Sequence, residues 1–211
     1  MNSMSLLEDS WKQREEQIYP ELFGETSKGI YQLDASLFKN QFGIDDIDPR
    51  WLHYGVFKCA PTSDRDTWVY VTSGMSNTWE SDKPEKYSGF GTEFILETDS
   101  ESDWAINTLR SLVAFNILVS VGHYGDKPLV DYGDRIPMSI KPNIASLMVV
   151  KPSQFPESFD LISGKVDILQ ITGITAQELE YAKENGSEVI ANKLFEFQGS
   201  FIIKPDRLGV A

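Results

Sequence analysis

Residues 92–121 read TEFILETDSESDWAINTLRSLVAFNILVSV, and the two halves of this run obey different periodicities. Thr92 to Glu97 is short and rich in aromatic and β-branched residues, which reads as a strand. Asp103 to Val121 is too long for a strand; it starts behind Ser102, which suits an N-cap, and stops at Gly122. Apolar residues go nearly all round that helix, so most of its surface must be covered, which predicts a central helix packed across a sheet. Asn107, Arg110, Ser111, Asn116 and Ser120 interrupt it, which argues for a buried helix of a soluble protein and against a membrane span.

Working outward, Trp51 to Cys59 (WLHYGVFKC) and Thr67 to Thr72 (TWVYVT) are strand-like, and the turn chemistry of APTSDRD between them predicts a hairpin. Leu6 to Tyr19 is an amphipathic helix with Ser5 placed to cap it and Pro20 to stop it. Downstream, Ala145 to Val150 and Lys165 to Thr172 are strands. Thr175 and Glu178 form a capping box for a helix that ends at Asn185 before Gly186. A short helix over Val189 to Phe195 and a strand over Ser200 to Ile203 follow. The expected fold is α+β, of mixed α/β type, with a largely antiparallel or mixed central sheet, one long packed helix and flanking helices. No linker or repeat divides residues 1–211, so one domain is expected, with 1–50 as a helical lead-in.

The composition is globular, with 41% apolar and 12% aromatic residues in 211. Nineteen Lys and Arg stand against 32 Asp and Glu, a formal net charge of -13, which repels a phosphate backbone and so argues against nucleic acid. The same field attracts a basic protein. Cys59 is the only cysteine, which rules out an internal disulfide, and the first residues carry no basic and then apolar leader. A cytoplasmic location is the expectation, with no membrane contact.

Chemistry is sought and not found. Two histidines, His53 and His123, and one cysteine cannot complete a thiolate-rich zinc pattern. His53 reads as a half-buried strand histidine, and His123 as a loop residue beside the helix end. Gly74-Met75-Ser76-Asn77-Thr78 begins like a nucleophile elbow but lacks the second glycine. Ser88-Gly89-Phe90-Gly91 leads into a strand where a phosphate loop would open a helix, and reads as a tight turn. Ile44-Asp45-Asp46-Ile47-Asp48 lacks the glycine and distal glutamate of a calcium loop. No catalytic set, metal or cofactor is expected.

Trp68-Val69-Tyr70, Ser73-Gly74-Met75-Ser76, Ser88-Gly89-Phe90-Gly91-Thr92-Glu93-Phe94, Gly122-His123-Tyr124 and Ile168-Leu169-Gln170-Ile171-Thr172-Gly173-Ile174-Thr175 follow one another in an order that resembles the suppressor-of-fused domain, over about Trp51 to Arg207. The resemblance implies a mixed α/β domain that holds a partner protein rather than an enzyme. The animal members bind a transcription factor in Hedgehog signalling through a clamp between two domains. The 211 residues leave no room for a second domain, so neither clamp nor Hedgehog role carries over. Short members resemble a bacterial branch proposed to act as immunity proteins that neutralise polymorphic toxins. Trp68, Tyr70, Gly89 and Gly91 are expected to serve core and turns, and strand and helix packing is expected to bury Trp68 and Trp104.

The expected partner surface is the loop from Asn77 to Tyr87, within Gly74 to Gly91, joined by Tyr124 to Asp134 of the irregular stretch Gly122 to Asn143. Such stretches exceed mere connectors, and binding residues gather on loops of this length. They combine aromatic anchors, Trp79, Tyr87, Tyr124 and Tyr132, with carboxylates, Glu80, Asp82, Glu85, Asp126, Asp131 and Asp134, suited to steering a basic protein partner. The alternative is a small-molecule or catalytic cleft near His123, Asp126 and Asp131. Elemental analysis of the chelator-washed protein is expected to find no stoichiometric transition metal; one metal per chain would contradict the reading of its histidines and cysteine.

Overall fold

The computed structural model describes residues 5–140 and 143–211. Eight strands form one sheet: β1 (Tyr31–Gln32), β2 (Gly55–Cys59), β3 (Trp68–Ser73), β4 (Tyr87–Thr98), β5 (Arg135–Ile136), β6 (Ser146–Val150), β7 (Ser158–Leu161) and β8 (Gly164–Ile174). They lie in the order β1-β2-β3-β4-β8-β6-β5, with β7 paired to the first residues of β8. β4 and β8 run parallel at the centre, and the remaining pairs are antiparallel. The sheet is therefore mixed, and the α and β elements are interleaved as the sequence predicts.

Alternation along the strands sends side chains to two covered faces. Tyr70, Phe94, Leu96, Leu147, Val149, Leu169 and Ile171 pack on one face with α4 (Asp103–Ser120), whose Ala105, Leu109, Leu112, Val113 and Ile117 are buried among them. On the other face, Phe57, Val69, Val71, Ile95 and Ile168 pack against Tyr19 and Phe23 of the N-terminal helical segment. Met148, Val150 and Ile174 pack there against Ala182, Ile190 and Leu194 of two C-terminal helices, Ala176–Asn185 and Ser187–Gln198. The capping box of the first of these, Thr175 with Glu178, forms as predicted. Glu178 is also fully buried against Arg207, at 2.5 Å, which anchors the last residues to that helix.

The N-terminal segment comprises α1 (Leu6–Lys12), a π-type turn over Gln13–Ile18, and α2 (Tyr19–Phe23). Ser5 caps it through a capping box with Glu8. Pro20 does not stop it: the widened turn, in which Tyr19 N–H reaches back to Arg14 O, accommodates the ring, and the helix ends at Gly24.

Four other expectations are corrected. The residues Pro49–His53 form a 3-10 turn opened by Asp48, so the strand begins only at Gly55 and His53 is exposed on the turn. β4 starts at Tyr87, five residues before the predicted strand, because a bulge lets Gly89 and Gly91 join it at positive φ. Ser200 to Ile203 makes one bridge, Ile203 to Thr98, in place of a strand. Trp68 and Trp104 are half-buried at the margin of the main core, not enclosed by it. Short pairs such as β1, β5 and β7 were beyond pattern reading, and Lys141 and Pro142 of the irregular stretch lie outside the described residues.

Phe94 is fully buried, so Phe94→Ala is expected to cost about 3 to 5 kcal/mol in urea unfolding, and Trp104→Ala distinctly less. Equal losses would contradict this division of core from margin. Burial pushes the Cys59 thiol up to about 12, against a weak pull from Arg65. It should resist a thiol reagent at neutral pH in the native protein and react fully once urea unfolds the chain.

Candidate functional site

The buried polar centre of the molecule lies where β3 runs out and β4 begins. After Ser73 the chain turns through Gly74, whose φ is +131° and whose added Cβ would meet the Tyr54 ring at 2.7 Å. The loop then lies directly on the start of β4: Phe90 N–H donates to Met75 O at 2.7 Å, and a Cβ on Gly89 would come within 2.6 Å of the carbonyl oxygens of Met75 and Asn77. Both glycines of the sequence motifs are therefore demanded by close backbone approach.

Glu93 fastens this loop. Its fully buried carboxyl accepts from Gly74 N–H at 3.1 Å, Ser76 N–H at 2.9 Å, the Ser76 hydroxyl at 2.7 Å and the Thr72 hydroxyl at 2.6 Å. The cation beside it is Arg14, also fully buried, with Nη1 at 3.9 Å from Glu93 Oε1. Arg14 donates to Ser76 Oγ at 2.8 Å, to Asn77 Oδ1 at 3.0 Å and to Glu15 Oε1 at 3.0 Å. Burial opposes its charge, but Tyr19, Glu93 and Glu15 outweigh that, and the guanidinium stays protonated.

Beyond Asn77 the loop walls a cleft of about 350 Å³ lined by Trp51, Tyr54, Trp79, Phe90, Ile117 and Val121, with exposed Arg50, Glu80 and Glu85 at its mouth. Trp51 comes from the 3-10 turn, Ile117 and Val121 from the end of α4, and Phe90 from β4. Trp79 sits edge-on to Trp11 at 5.9 Å and against His53 at 5.8 Å. Burial raises the Tyr54 hydroxyl to about 12, so it remains a neutral hydrogen-bonding group. The Thr78 hydroxyl is buried in the same wall with no hydrogen-bond partner among the described residues. Arg50 is engaged by Asp48 at 2.6 Å and by Glu80 at 2.5 Å. The cleft can seat one apolar side chain and offers a polar contact beside it.

Of the residues singled out in the sequence, Trp79, Glu80 and Glu85 meet at this cleft. Asp82 is exposed on the same loop outside the lining. Tyr87 belongs to β4, not to the loop, and its ring lies under Lys86 at 5.2 Å and Lys165 at 5.9 Å. The second segment does not join them. Tyr124, 40% exposed, stacks on Phe115 and His123, and Asp126 is exposed. Asp131 and Asp134 accept backbone N–H groups within their own turn, from Tyr132 and Asp131. Tyr132 donates to Ile168 O at 2.8 Å and lines a separate groove with Phe195 and Phe201.

His123, Asp126 and Asp131 are all exposed and line neither cleft, so the alternative site is not assembled there. Among the described residues no group of three or more His, Cys, Asp or Glu could hold a metal ion, and no helix is long and apolar enough to cross a membrane. Sequence reading placed Asn77 at the start of the binding loop but missed the roles of Arg14, Thr72, Ser76 and Glu93. The available signal was Glu93 within the apolar run TEFILE, since a carboxyl inside a buried strand needs partners.

Among curated proteins no sequence matches the chain. Solved structures do match in fold. One chain of the Sufu-Fu complex crystal structure has 18% identity and a TM-score of 0.67 over 98% of this chain and 92% of its own. Drosophila Suppressor of Fused has 18% identity and a TM-score of 0.59 over 83% of this chain and 49% of its own, so this chain spans about half of that protein. A suppressor-of-fused homolog from Neisseria gonorrhoeae FA 1090 has 18% identity and a TM-score of 0.64 over 95% and 97%. The profile of the Suppressor of fused protein (SUFU) family matches residues 50–208. That stretch holds the loop, the bulge, Glu93 and the cleft, and with it the chain belongs to the suppressor of fused family of protein-binding domains.

Proposed function

We propose that this chain is a non-enzymatic binding domain in the cytoplasm. Its partner inserts an apolar side chain between Trp51, Tyr54, Trp79 and Phe90 and places basic residues against Glu80 and Glu85. The aromatic cleft with a carboxylate mouth carries this reading, because Trp79, Glu80 and Glu85, all expected from the sequence to bind, converge there around an apolar hollow. Aromatic anchors in a desolvated pocket supply most of the energy of an interface, while rim charges act on encounter and specificity.

The finer proposal is an immunity protein that neutralises a basic toxin domain by direct binding. The net charge of -13 supports it, because an acidic field attracts a basic partner. The carboxylates at Asp126, Asp131 and Asp134 are then part of the long-range field that steers a basic partner, and Tyr124 and Tyr132 form an outlying patch.

Under this proposal a neighbouring gene encodes a toxin domain, and that domain is the partner to test, by calorimetry and stopped-flow binding. Trp79→Ala should weaken binding by about 2 kcal/mol or more while the protein still melts cooperatively. Glu80→Lys with Glu85→Lys should slow association at low salt, with the difference shrinking as salt rises. Wild-type affinity in Trp79→Ala would place the interface elsewhere, and a neighbourhood of metabolic genes with no toxin would argue against the immunity role.

A further inference from the structure

The family match begins at residue 50, yet the cation that balances its buried Glu93 comes from residue 14. The N-terminal helical segment reaches two hairpin tips that are themselves joined, since Glu85 N–H donates to Ser163 O at 2.9 Å. At one, Ser10 Oγ donates to Ser163 Oγ at 2.8 Å, and Gln13 Oε1 accepts from Ile162 N–H at 2.7 Å. At the other, Trp11 Nε1 donates to Asn77 Oδ1 at 2.5 Å, Arg14 donates to both Ser76 and Asn77, and Glu15 accepts from the Ser73 hydroxyl at 2.6 Å. The π-type turn that starts at Gln13 widens the helix where Arg14 enters the interior.

Two features separate this from ordinary helix packing. The contacts with the loop are mainly polar and concentrated on residues 73–77, just before the cleft wall. Trp11 lies against the rings of both His53, tilted at 6.0 Å, and Trp79, edge-on at 5.9 Å. Trp79 and the 3-10 turn that carries His53 both contribute to the cleft, so Trp11 abuts two of its walls.

We propose that the N-terminal helix, through Trp11 and Arg14, sets the conformation of the loop that walls the cleft and thereby sets partner affinity. Trp11 and Arg14 are positioning residues; neither lines the cleft. The role rests on the reading of that cleft as the partner site. A surface loop held by few contacts would sample many conformations and reduce affinity by the fraction of time spent in the competent one. Donors fixed from behind narrow that sampling while leaving the front open.

The experiment uses the full chain with Trp11→Ala and Trp11→Phe. Arg14→Gln is a third variant, set apart because an unpaired buried Glu93 can unfold the protein. Amide hydrogen exchange of the free protein should quicken about tenfold over residues 76–86 in Trp11→Ala, and less in Trp11→Phe, which keeps a ring but loses the N–H. Exchange in β6 and in the helix Ala176–Asn185 should stay as in the wild type. Affinity for the neighbouring-gene toxin domain should fall about tenfold in Trp11→Ala. Unchanged loop exchange, or an equal rise throughout the chain, would overturn the positioning role. So would full affinity in Trp11→Ala alongside lost affinity in Trp79→Ala. Full affinity in both would sink the interface itself, and the role with it.

Discussion

The loop that walls the cleft depends on one buried carboxyl. Glu93 sits at zero exposure in the central strand and accepts three hydrogen bonds from the loop after β3 and a fourth from Thr72 of β3 itself, with Arg14 as its nearby cation. Such an arrangement adds little net stability compared with a well-packed apolar replacement, because both charges must leave water. Its effect is on specificity. A carboxyl in that position is satisfied when Gly74 and Ser76 present their N–H groups to it, so the first residues of the loop are held to that conformation while the rest of the loop is left to other contacts. The bulge at the start of β4 follows from the same constraint, since the loop's carbonyl oxygens occupy the space that a side chain at position 89 would need.

The cleft inherits its shape from that polar centre. Its walls come from a 3-10 turn, a loop, a bulged strand and the last turn of α4, four pieces distant in sequence. None of them would hold position alone. The sheet and α4 form the rigid floor, with Tyr54, Phe90 and Ile117 in place through the main core. The Glu93 and Asn77 contacts hold the loop that brings Trp79 across. Binding surfaces built in this way keep their side chains free to meet a partner because backbone groups and buried neighbours supply the order. The family relationship points to protein recognition as the kind of activity.

A second buried ion pair joins Glu178, in the helix Ala176–Asn185, to Arg207. Burial raises the Glu178 carboxyl, but Arg207 and the N–H groups of Thr175 and Val210 outweigh that and hold it below its ordinary range. Both pairs join a residue in regular structure to one distant in the chain, Glu93 to Arg14 and Glu178 to Arg207. The chain is thereby tied to the sheet near each end, where frayed helices would otherwise expose Phe23 or Leu194.

Much was legible from the sequence. Periodicity placed the α4 helix to within a residue, found the β2–β3 hairpin and the β6 and β8 strands, and identified the capping box at Thr175, because these features depend on residues close together in the chain. Ordered motifs identified the family for the same reason: SGMS and SGFGTEF are fixed locally by what glycine alone can do. Two of the four anchoring aromatics and half of the proposed acidic positions fell on or beside the segment that folds around the cleft, through loop length alone. Tertiary structure decided the rest. No local pattern says that Tyr124 to Asp134 curls away from Trp79, that Pro49 to His53 winds into a turn, or that Arg14 reaches Ser76 across 62 residues of sequence. A charged residue on an amphipathic helix looks solvated until a buried acid is found opposite it. That pairing depends on where two distant segments meet in space, and sequence spacing alone carries no information about it.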